Sequence, residues 1–403
     1  MSRKAYVVGV GMTKFTRPFS KEWDFADMAR EAALKALADA KLSFASIDQA
    51  CIGYVFGTTT LGQCAVYELG MTGIPVYNVN NACATGATAL YLATQLVRGG
   101  MADCVLALGF DKMQKGAIDL ASDQLSNPVH RHMKLIEEWQ GNSEAPPVAR
   151  LFGSAGREHM DRHGTTRGQF VRIAVKNHLH SVHNPYAQFQ KEYSPTEIEQ
   201  SPVIYDPLTK LQCCPTSDGA AAAIVACEGF IRKGGLASQA VEVCGIAMAT
   251  DLPSSFNERS SIKLVGYDVS KKAAQAAYEQ SGIGPEDIQV IELHDCFSVN
   301  ELITYEALGL CPEGQGGALI ESGATSYGGR WVVNPSGGLI SKGHPLGATG
   351  LAQCAELVWQ LRGQAERRQV TGVGAALQHN LGLGGACVVA IYRRAQTDGL
   401  ATN

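Results

Sequence analysis

The 403-residue sequence lacks an excess of positive charge, with 34 Lys and Arg against 38 Asp and Glu. A protein that binds nucleic acid by neutralising phosphates needs such an excess, so this class is not expected. Charged residues are few, at 18%, while 45% of the residues are hydrophobic. This composition excludes an intrinsically disordered chain, and the length suits two or three domains or one two-fold architecture with an insertion.

Segments for export or membrane insertion are also missing. The apolar stretch Ala5–Met12 is too short for a signal peptide and predicts a first strand, and Gly219–Cys227 is about half a bilayer span. The last residues, Leu400–Asn403, do not match a peroxisomal Ser-Lys-Leu signal. The 12 cysteines form no Cys-x-x-Cys pair, so we expect reduced thiols in an intracellular compartment.

An internal repeat is the main feature that is present. An Ala-rich helical pattern over Phe25–Lys41 precedes an apolar strand near Ile52, and a second pattern over Ser270–Gln280 precedes a strand near Ile291. The offset between the two copies is 239 residues (291 minus 52). This alternation predicts two similar α/β halves, each a mixed sheet with helices on its faces.

A second repeated segment, with closer similarity between its two copies, follows each of these strands. The helix starts Gly86–Leu90 and Gly347–Leu351 are 261 residues apart (347 minus 86), and the same offset places Cys83 on His344. The strands expected to follow the two helices are Cys104–Gly109 and Ala386–Tyr392.

The stretch between the halves is rich in His and Pro and has no clear periodicity. Such a stretch predicts an insertion that lies over a site. The predicted division is residues 1–118 for the first part of the N-terminal half, 119–200 for an inserted loop domain, 201–235 for the return to the N-terminal half, and 236–403 for the C-terminal half.

Cys83 is the first candidate for chemistry. It precedes a predicted helix, where unpaired backbone N–H groups and the positive end of the helix dipole favour a thiolate. If the halves pack about a pseudo-two-fold axis, the helix start that carries His344 faces the same cleft and brings a base to the thiol. The alternatives are a small buried cysteine and a histidine that caps its helix.

A third cluster, Glu292–Phe297, follows the strand that begins at Ile288. Open α/β sheets carry functional groups at strand ends, and His294 and Cys296 face one side if the strand continues. A metal site is the rival interpretation, which we discount because the sequence offers no further spaced pair of ligands nearby.

Other motifs give weaker signals. The glycine-rich Asn380–Ala386 could bring backbone amides to a reacting oxygen, or form a plain turn. His159 and His163 have the i, i+4 spacing of a zinc helix but not the order His-Glu-x-x-His, and Gly9–Gly11 lacks the third glycine of a dinucleotide fingerprint. Cys387 lies inside a predicted strand, which indicates a core residue.

Four of these segments, taken in order, resemble the thiolase superfamily. They are Asn81–Gly86, His294–Phe297, Asn334–Gly338 and Gly343–Gly350. The variant is similar to the sterol carrier protein 2-type thiolases, the thiolase part of sterol carrier protein X. The resemblance runs from the first strand to about Tyr392, and four separated motifs in one order make it specific.

The resemblance implies the α/β thiolase fold, in which two pseudo-symmetric βαβαβαββ halves form a five-layered αβαβα sandwich with an inserted loop domain. It also implies that Cys83 is acylated by the substrate, and that His344 activates this thiol and helps to bind the thioester oxygen. His294 is expected to help form this first oxyanion hole. Because family members form dimers or dimer-based assemblies, a homodimer is expected.

The chain departs from the common pattern where most thiolases carry a second catalytic cysteine in a Cys-x-Gly loop. His379 lies near that place, and the resemblance assigns the acid/base thiol to Cys296, with Cys387 as a minor rival. The backbone N–H of Cys83 and an amide of the glycine-rich loop are expected to form the second oxyanion hole. The residues expected in this hole and the CoA pocket are Asn380, Gly382, Gly384, Gly385 and Ser255.

The implied reaction is CoA-dependent cleavage of a 3-oxoacyl-CoA to a shortened acyl-CoA and acetyl-CoA or propanoyl-CoA, in fatty acid or sterol side-chain β-oxidation. Coenzyme A is a substrate here, and no metal or other cofactor is implied. Cations of the inserted region should bind its phosphates. The candidates left open are Lys134, Arg150, Arg157, Arg172 and Lys176.

Two other functions stay open. A decarboxylating condensing enzyme would use a Cys-His-His set such as Cys83, His294 and His344, but it would have no use for the thiol of Cys296. A non-catalytic acyl-CoA carrier would keep the fold without turnover. No lipid-transfer activity is expected, and a peroxisomal location follows family analogy, with cytoplasm and mitochondrion as alternatives.

Overall fold

The computed structural model describes residues 3–116 and 129–395. It contains twelve strands in these ranges, in agreement with the predicted α/β class. The strands are β1 Ala5–Met12, β2 Gln49–Gly53, β3 Val76–Val79, β4 Cys104–Asp111, β5 Val203–Tyr205, β6 Leu208–Thr209, β7 Gly219–Cys227, β8 Val241–Ala249, β9 Val290–Glu292, β10 Val332–Val333, β11 Ala375–Leu381 and β12 Cys387–Arg394.

Fifteen α-helices connect these strands within the same described ranges. They are α1 Phe25–Ala40, α2 Leu61–Tyr67, α3 Thr85–Arg98, α4 His130–Gln140, α5 Pro147–His163, α6 Arg167–Ser181, α7 Pro195–Glu199, α8 Glu228–Gly234, α9 Pro253–Asn257, α10 Ser261–Leu264, α11 Tyr267–Ser281, α12 Ser298–Ala307, α13 Gly316–Glu321, α14 Gly338–Lys342 and α15 Leu346–Arg362.

The predicted repeat is visible in the strand order of the large sheet. Its ten strands run β10-β9-β11-β12-β8-β1-β7-β4-β2-β3, so the five strands of one half mirror the five of the other. In each half two parallel pairs are followed by two antiparallel pairs. The halves meet where β1 pairs with β8 through only two residue pairs, Tyr6 with Glu242 and Val7 with Val241.

Three hydrophobic cores separate five layers of alternating helix and sheet. One core packs α1 on the outer face of the N-terminal half of the sheet, a second surrounds α3 and α15 between the two halves, and a third packs α11 and α12 on the outer face of the C-terminal half. Small residues on α1, such as Ala32 and Ala36, allow the close helix–sheet contact. This arrangement is the five-layered sandwich that the sequence predicted.

The two central helices approach each other closely at their first turns. A Cβ added to Gly86 would lie 2.6 Å from the carbonyl oxygen of Gly347 and 3.0 Å from the amide nitrogen of Gly350. Only glycine permits this approach, because any side chain would force the two helix starts apart. The repeated glycines of the sequence therefore bring the residues before the two helices to one place.

The inserted region is more regular than its sequence indicated. In the described part of residues 119–200, four helices form, α4 to α7, whereas the sequence predicted a loop domain without clear periodicity. The difference arises because polar side chains of α6 are buried against the C-terminal half: Lys176 lies 2.6 Å from Glu301, and Asn177 donates to Asp295 at 2.8 Å. The domain division stays a prediction, and its boundary at 118/119 lies outside the described residues.

One strand was misassigned from the sequence. The strand that directly follows α15 is β11, whereas the predicted strand at residues 386–392 corresponds to β12 and pairs with β11 as β7 pairs with β4. Asn380 and Leu381, predicted as part of a glycine-rich loop, therefore belong to β11. Because the run from Ala375 to Leu381 mixes polar and apolar residues, it does not show the pattern of a strand, yet it forms β11, which is buried on both faces.

Candidate active site

Cys83 lies in a tight turn between β3 and α3. Ala82 has a φ of 49°, a left-handed conformation that is unfavourable for a non-glycine residue, and the turn is held by hydrogen bonds around Thr85. The Oγ1 of Thr85 accepts from the N–H of Asn81 at 2.9 Å and donates to the carbonyl of Ala82 at 2.6 Å. The thiol is thus fixed just before the first turn of α3.

The turn after β11 supports the Cys83 turn from the other half. A Cβ on Gly382 would lie 3.0 Å from the nitrogen of Cys83, and one on Gly385 would lie 2.7 Å from the carbonyl oxygen of Asn81. The amides of Gly382 and Gly385 donate within their own turn, to Ala386 at 2.8 Å and to Gly382 at 3.1 Å. These two glycines give close packing, and Gly384 is exposed at the tip with a φ of 65°.

His344 occupies the matching position before α15. Its N–H donates to the Oγ of Ser217 at 3.0 Å, and its Nδ1 lies 2.7 Å from the Oγ1 of Thr349. Because the Thr349 hydroxyl donates its one proton to the carbonyl of Pro345 at 2.9 Å, it must accept from Nδ1–H. The Nε2 of His344, which is buried and has no hydrogen-bond partner in the structure, therefore carries a free lone pair.

His294 has the opposite tautomer. Its Nδ1 lies 3.0 Å from the Nδ2 of Asn380, an amide group that can only donate, so the proton of His294 is on Nε2. Asn380 belongs to β11 and is fully buried. The two imidazoles, whose ring centroids are 5.1 Å apart and nearly perpendicular, thus offer one base and one hydrogen-bond donor.

These groups meet in one small cavity. The Sγ of Cys83 and a ring nitrogen each of His294 and His344 all lie within 4.8 Å of one another. The cavity has a volume of about 20 Å³, enough for roughly one water-sized group. Its lining is Cys83, Val148, Phe152, His294, Cys296, Phe297, His344, Leu381 and Leu383. Because Val148 and Phe152 belong to α5, the inserted region does cover the site, as expected from the sequence.

Electrostatics keep the thiol and both imidazoles neutral. Burial, assisted by the charge of Asp111, raises the pKa of Cys83 to about 12, and burial lowers the pKa of His344 to about 3. Burial and the neighbouring His344 lower the pKa of His294 well below its usual value. Burial thus opposes the thiolate that the helix dipole is expected to favour, and the effect of the dipole on Cys83 stays a prediction.

Cys296 also lines this cavity. His294 and Cys296 were expected to face one side of a continued strand, but β9 ends at Glu292 and both residues lie in the loop that follows it. Burial raises the pKa of the Cys296 thiol well above its usual value, and negative charge on Cys214 or Cys83 raises it further. A further thiol near Cys296 was not predicted: it is that of Cys214, whose N–H donates to the carbonyl of Cys296 at 2.9 Å. Its only sequence signal was the adjacent pair Cys213 and Cys214.

The fold also supplies metal ligands that the sequence did not offer. A metal at His294 was discounted for want of nearby ligands, but Cys83 and His344 come from distant segments. The other candidate pair is His159 and His163. The two ring nitrogens of His159 form hydrogen bonds with Thr165 at 2.6 Å and with Glu306 at 3.0 Å. His159 is therefore satisfied as a structural residue.

The remaining predicted residues have mixed surroundings. Ser255 is buried and its Oγ accepts from the N–H of Leu252 at 3.3 Å, so its CoA role stays a prediction. Cys387 is buried in β12. Among the five cation candidates, Lys176 is paired with Glu301 in the interior and Arg150 is buried, whereas Arg157 borders an open cleft.

Comparison with known families gives matches over most of the chain. A family model described as "Thiolase, N-terminal domain" matches residues 5–229, and one described as "Thiolase C-terminal domain-like" matches residues 254–394. "Sterol carrier protein 2" of Rattus norvegicus is 61% identical over 392 residues, which cover 97% of this chain and 72% of that protein. "Acetyl-CoA acetyltransferase" of Methanothermobacter thermautotrophicus is 37% identical over 97% of this chain and its own full length.

Solved structures share the fold. The "Ltp2-ChsH2(DUF35) aldolase" matches with a TM-score of 0.81 at 24% identity, over 98% of each chain. Human mitochondrial 3-ketoacyl-CoA thiolase in complex with CoA matches with a TM-score of 0.74 at 19% identity, also over 98% of each chain. Within the described residues, no helix is long and apolar enough to cross a bilayer.

Proposed function

Since the chain belongs to the thiolase family and so has an acyltransferase-type activity on CoA thioesters, we propose that it is a 3-oxoacyl-CoA thiolase. It would cleave a 3-oxoacyl-CoA with CoA to a shortened acyl-CoA and acetyl-CoA or propanoyl-CoA. The observation that carries the proposal is the cavity in which Cys83, His294 and His344 meet within 4.8 Å and which Cys296 also lines.

In the first step the free Nε2 of His344 takes the proton of Cys83 as its sulfur attacks the 3-keto carbon. Attack by a neutral thiol needs such a base within reach, because a pKa of about 12 leaves almost no thiolate at pH 7. The carbon–carbon bond then breaks, and the Nε2–H of His294 stabilises the oxygen of the departing enolate.

In the second step Cys296 would supply the acid and base functions. Its thiol protonates the enolate carbon, and the resulting thiolate then deprotonates the incoming CoA. The CoA sulfur attacks the acyl-Cys83 thioester and releases the product. The high pKa of Cys296 supports this role, because the group has to begin as an acid.

Coenzyme A needs cations near the cavity, and α5 carries two of them beside a cleft whose lining also contains carboxylates, so the phosphates would have to compete with the ion pairs of these cations. Phe152 lines the cavity, while Arg157 and Arg162 border a polar cleft of about 810 Å³ further along the same helix. At about 1.5 Å per residue these positions lie about 8–15 Å from Phe152, a distance that suits the pantetheine arm. We propose that the cleft binds the CoA phosphates, with Arg259 and Lys263 on its opposite wall.

A homodimer forms part of this proposal. Strand β3 is the outermost strand of the sheet, and apolar side chains near it are exposed, with Tyr67 at 52% and Met71 at 81%. An unpaired edge with exposed apolar groups is suited to pairing with a second copy. We place the reaction in fatty acid or sterol side-chain β-oxidation in the peroxisome, following the relatives named sterol carrier protein 2.

Cys296→Ala tests the proposal against a condensing enzyme. We expect the variant to lose thiolysis of acetoacetyl-CoA while mass spectrometry still detects some acyl adduct on Cys83. Cys387→Ala is the matched control, a second buried thiol whose loss should leave turnover near wild type.

Three outcomes would contradict the proposal. Consumption of a malonyl thioester without cleavage of 3-oxoacyl-CoA would indicate a condensing enzyme. The absence of any adduct on Cys83 in the wild type would indicate a carrier. If Cys387→Ala lost thiolysis while Cys296→Ala stayed active, the acid/base role would belong to Cys387 and not to Cys296.

A further inference from the structure

The cavity that holds the reacting thiol also has the donor set of a zinc site. A sulfur and two imidazole nitrogens, all within 4.8 Å, are the ligands that Zn²⁺ prefers. In a tetrahedral zinc site such atoms are about 3.3–3.6 Å apart, since the bonds are about 2.3 Å to sulfur and 2.0–2.1 Å to nitrogen. The three groups therefore need to move by only about 1 Å to bind a metal ion.

The hydrogen bonds around the cavity favour such an occupant. The Nε2 of His344 is buried without a partner, and its Nδ1–H is held by Thr349, as zinc-binding histidines usually are by a second group. The Oδ1 of Asn380 is also buried without a partner. If the side-chain amide of Asn380 rotated by 180°, this oxygen would accept a hydrogen bond from Nδ1–H of His294. The Nε2 of His294 would then be free to bind the metal.

We propose that Zn²⁺ binds reversibly between Cys83, His294 and His344 and blocks the enzyme. The Zn–S bond forms as the S–H bond of Cys83 breaks and its proton passes to the solvent, while the His294 proton moves from Nε2 to Nδ1. The cavity of about 20 Å³ has room for one water-sized group, and the ion itself would occupy this space. Part of Cys83 is exposed, although its thiol lies in the buried cavity.

Calorimetric titration of the substrate-free enzyme with ZnCl₂ tests this site directly. We expect one tight site per chain and release of a proton on binding. Cys83→Ala should abolish the tight site, and Thr349→Val should weaken it by about 10–100-fold, the usual cost of losing a group that orients a ligand. Cys64→Ala, which removes an exposed thiol elsewhere, should bind as the wild type does.

Substitution with Co²⁺ gives a second readout that does not need activity. A sulfur-to-cobalt charge-transfer band is expected in the wild type and should be absent in Cys83→Ser, a variant that keeps the shape of the side chain. Binding by Cys83→Ala equal to the wild type, or the absence of any tight site, would overturn the inference.

Inhibition is the only part that rests on the proposed function. Zn²⁺ should stop thiolysis, a chelator should restore it, and prior acylation of Cys83 should block metal binding. If the protein bound zinc but had no thiolase activity, only the proposed function would be contradicted. If the enzyme were active and zinc neither bound to it nor inhibited it, only the zinc site would be contradicted.

Discussion

The starts of α3 and α15 are built from the same backbone frame, one in each half. Thr88 donates to the carbonyl of Ala84 at 2.9 Å, and Thr349 donates to the carbonyl of Pro345 at 2.9 Å. The residue before each capping position differs: it is Cys83 in one half and His344 in the other. Duplication of the fold thus gives two equivalent positions at one cavity, which differ mainly in the side chain that each presents.

Thr88 and Thr349 have different hydrogen-bond partners, in line with the different side chains at Cys83 and His344. The hydroxyl of Thr88 accepts from the side-chain Nδ2 of Asn81 at 3.0 Å and stabilises the turn. The hydroxyl of Thr349 accepts from the ring of His344 and so fixes which nitrogen is the base. The equivalent threonine thus stabilises a turn in one half and orients the ring of His344 in the other.

The strand ends beside these helices differ in the same way. Leu108 pairs with Ile52 and Leu377 pairs with Ile291, so Asp111 and Asn380 are equivalent positions, three residues further along. Asp111 accepts from the amides of Val55, Phe56 and Gly347 and joins the two halves. Asn380 instead contacts the imidazole of His294.

The largest effect is expected from removing the two different side chains. Cys83→Ala should abolish acyl-enzyme formation at this position, because the substitution removes the nucleophile. His344→Ala should retain the nucleophile and slow acylation by about 10²–10⁴-fold, the usual contribution of a general base. Rapid-quench measurement of the acyl adduct separates the two; equal losses would show that the positions act only as a unit.

A smaller effect should follow from disturbing the frame of the first helix start alone. Gly382→Ala would place a Cβ about 3 Å from the nitrogen of Cys83 and shift the nucleophile, so kcat should fall by about 10²-fold. Gly374→Ala is the control, because the nearest atom to its Cβ, on Gln289, would be 3.5 Å away. An unchanged kcat in Gly382→Ala would mean that the thiol tolerates displacement.

The threonine pair gives the next prediction. Thr349→Val leaves Nδ1–H of His344 buried without a partner, at a cost of about 1–3 kcal/mol, which is about 5–150-fold in kcat. Thr88→Val should affect thermal stability more than kcat, since Thr88 contacts only the turn. If both variants lose kcat equally, the proposed difference between the two hydroxyls is wrong.

The sequence predicted the architecture because a duplicated fold repeats its small residues, and Gly86 and Gly347 reveal the two helix starts directly. It also predicted Cys83, His294, Cys296 and His344 as one group, which the cavity brings together. Protonation states were not predictable, because the desolvation that sets them depends on what α5 covers. Asp111 was missed for a related reason: its role depends on contacts between halves that no local pattern encodes.

The smallest effect concerns the charge of Asp111. Burial raises the pKa of this carboxyl to about 7, so above pH 7 it is mostly ionised and raises the pKa of Cys83. Asp111→Asn removes the charge, lowers the pKa of the thiol and increases the thiolate fraction. Alkylation of Cys83 by iodoacetamide, followed by mass spectrometry, should be severalfold faster than in the wild type at pH 8–9.

The two alkylation profiles should converge below pH 6, where Asp111 of the wild type is protonated and neutral. Asp218→Asn is the matched control: it loses similar bonds to backbone amides, from Phe19 and Met113, without removing the charge that acts on Cys83. Its alkylation rate at pH 8–9 should equal that of the wild type. A faster rate in Asp111→Asn that persisted unchanged at pH 5 would show that the turn had opened, because a charge effect has to disappear once the carboxyl is protonated.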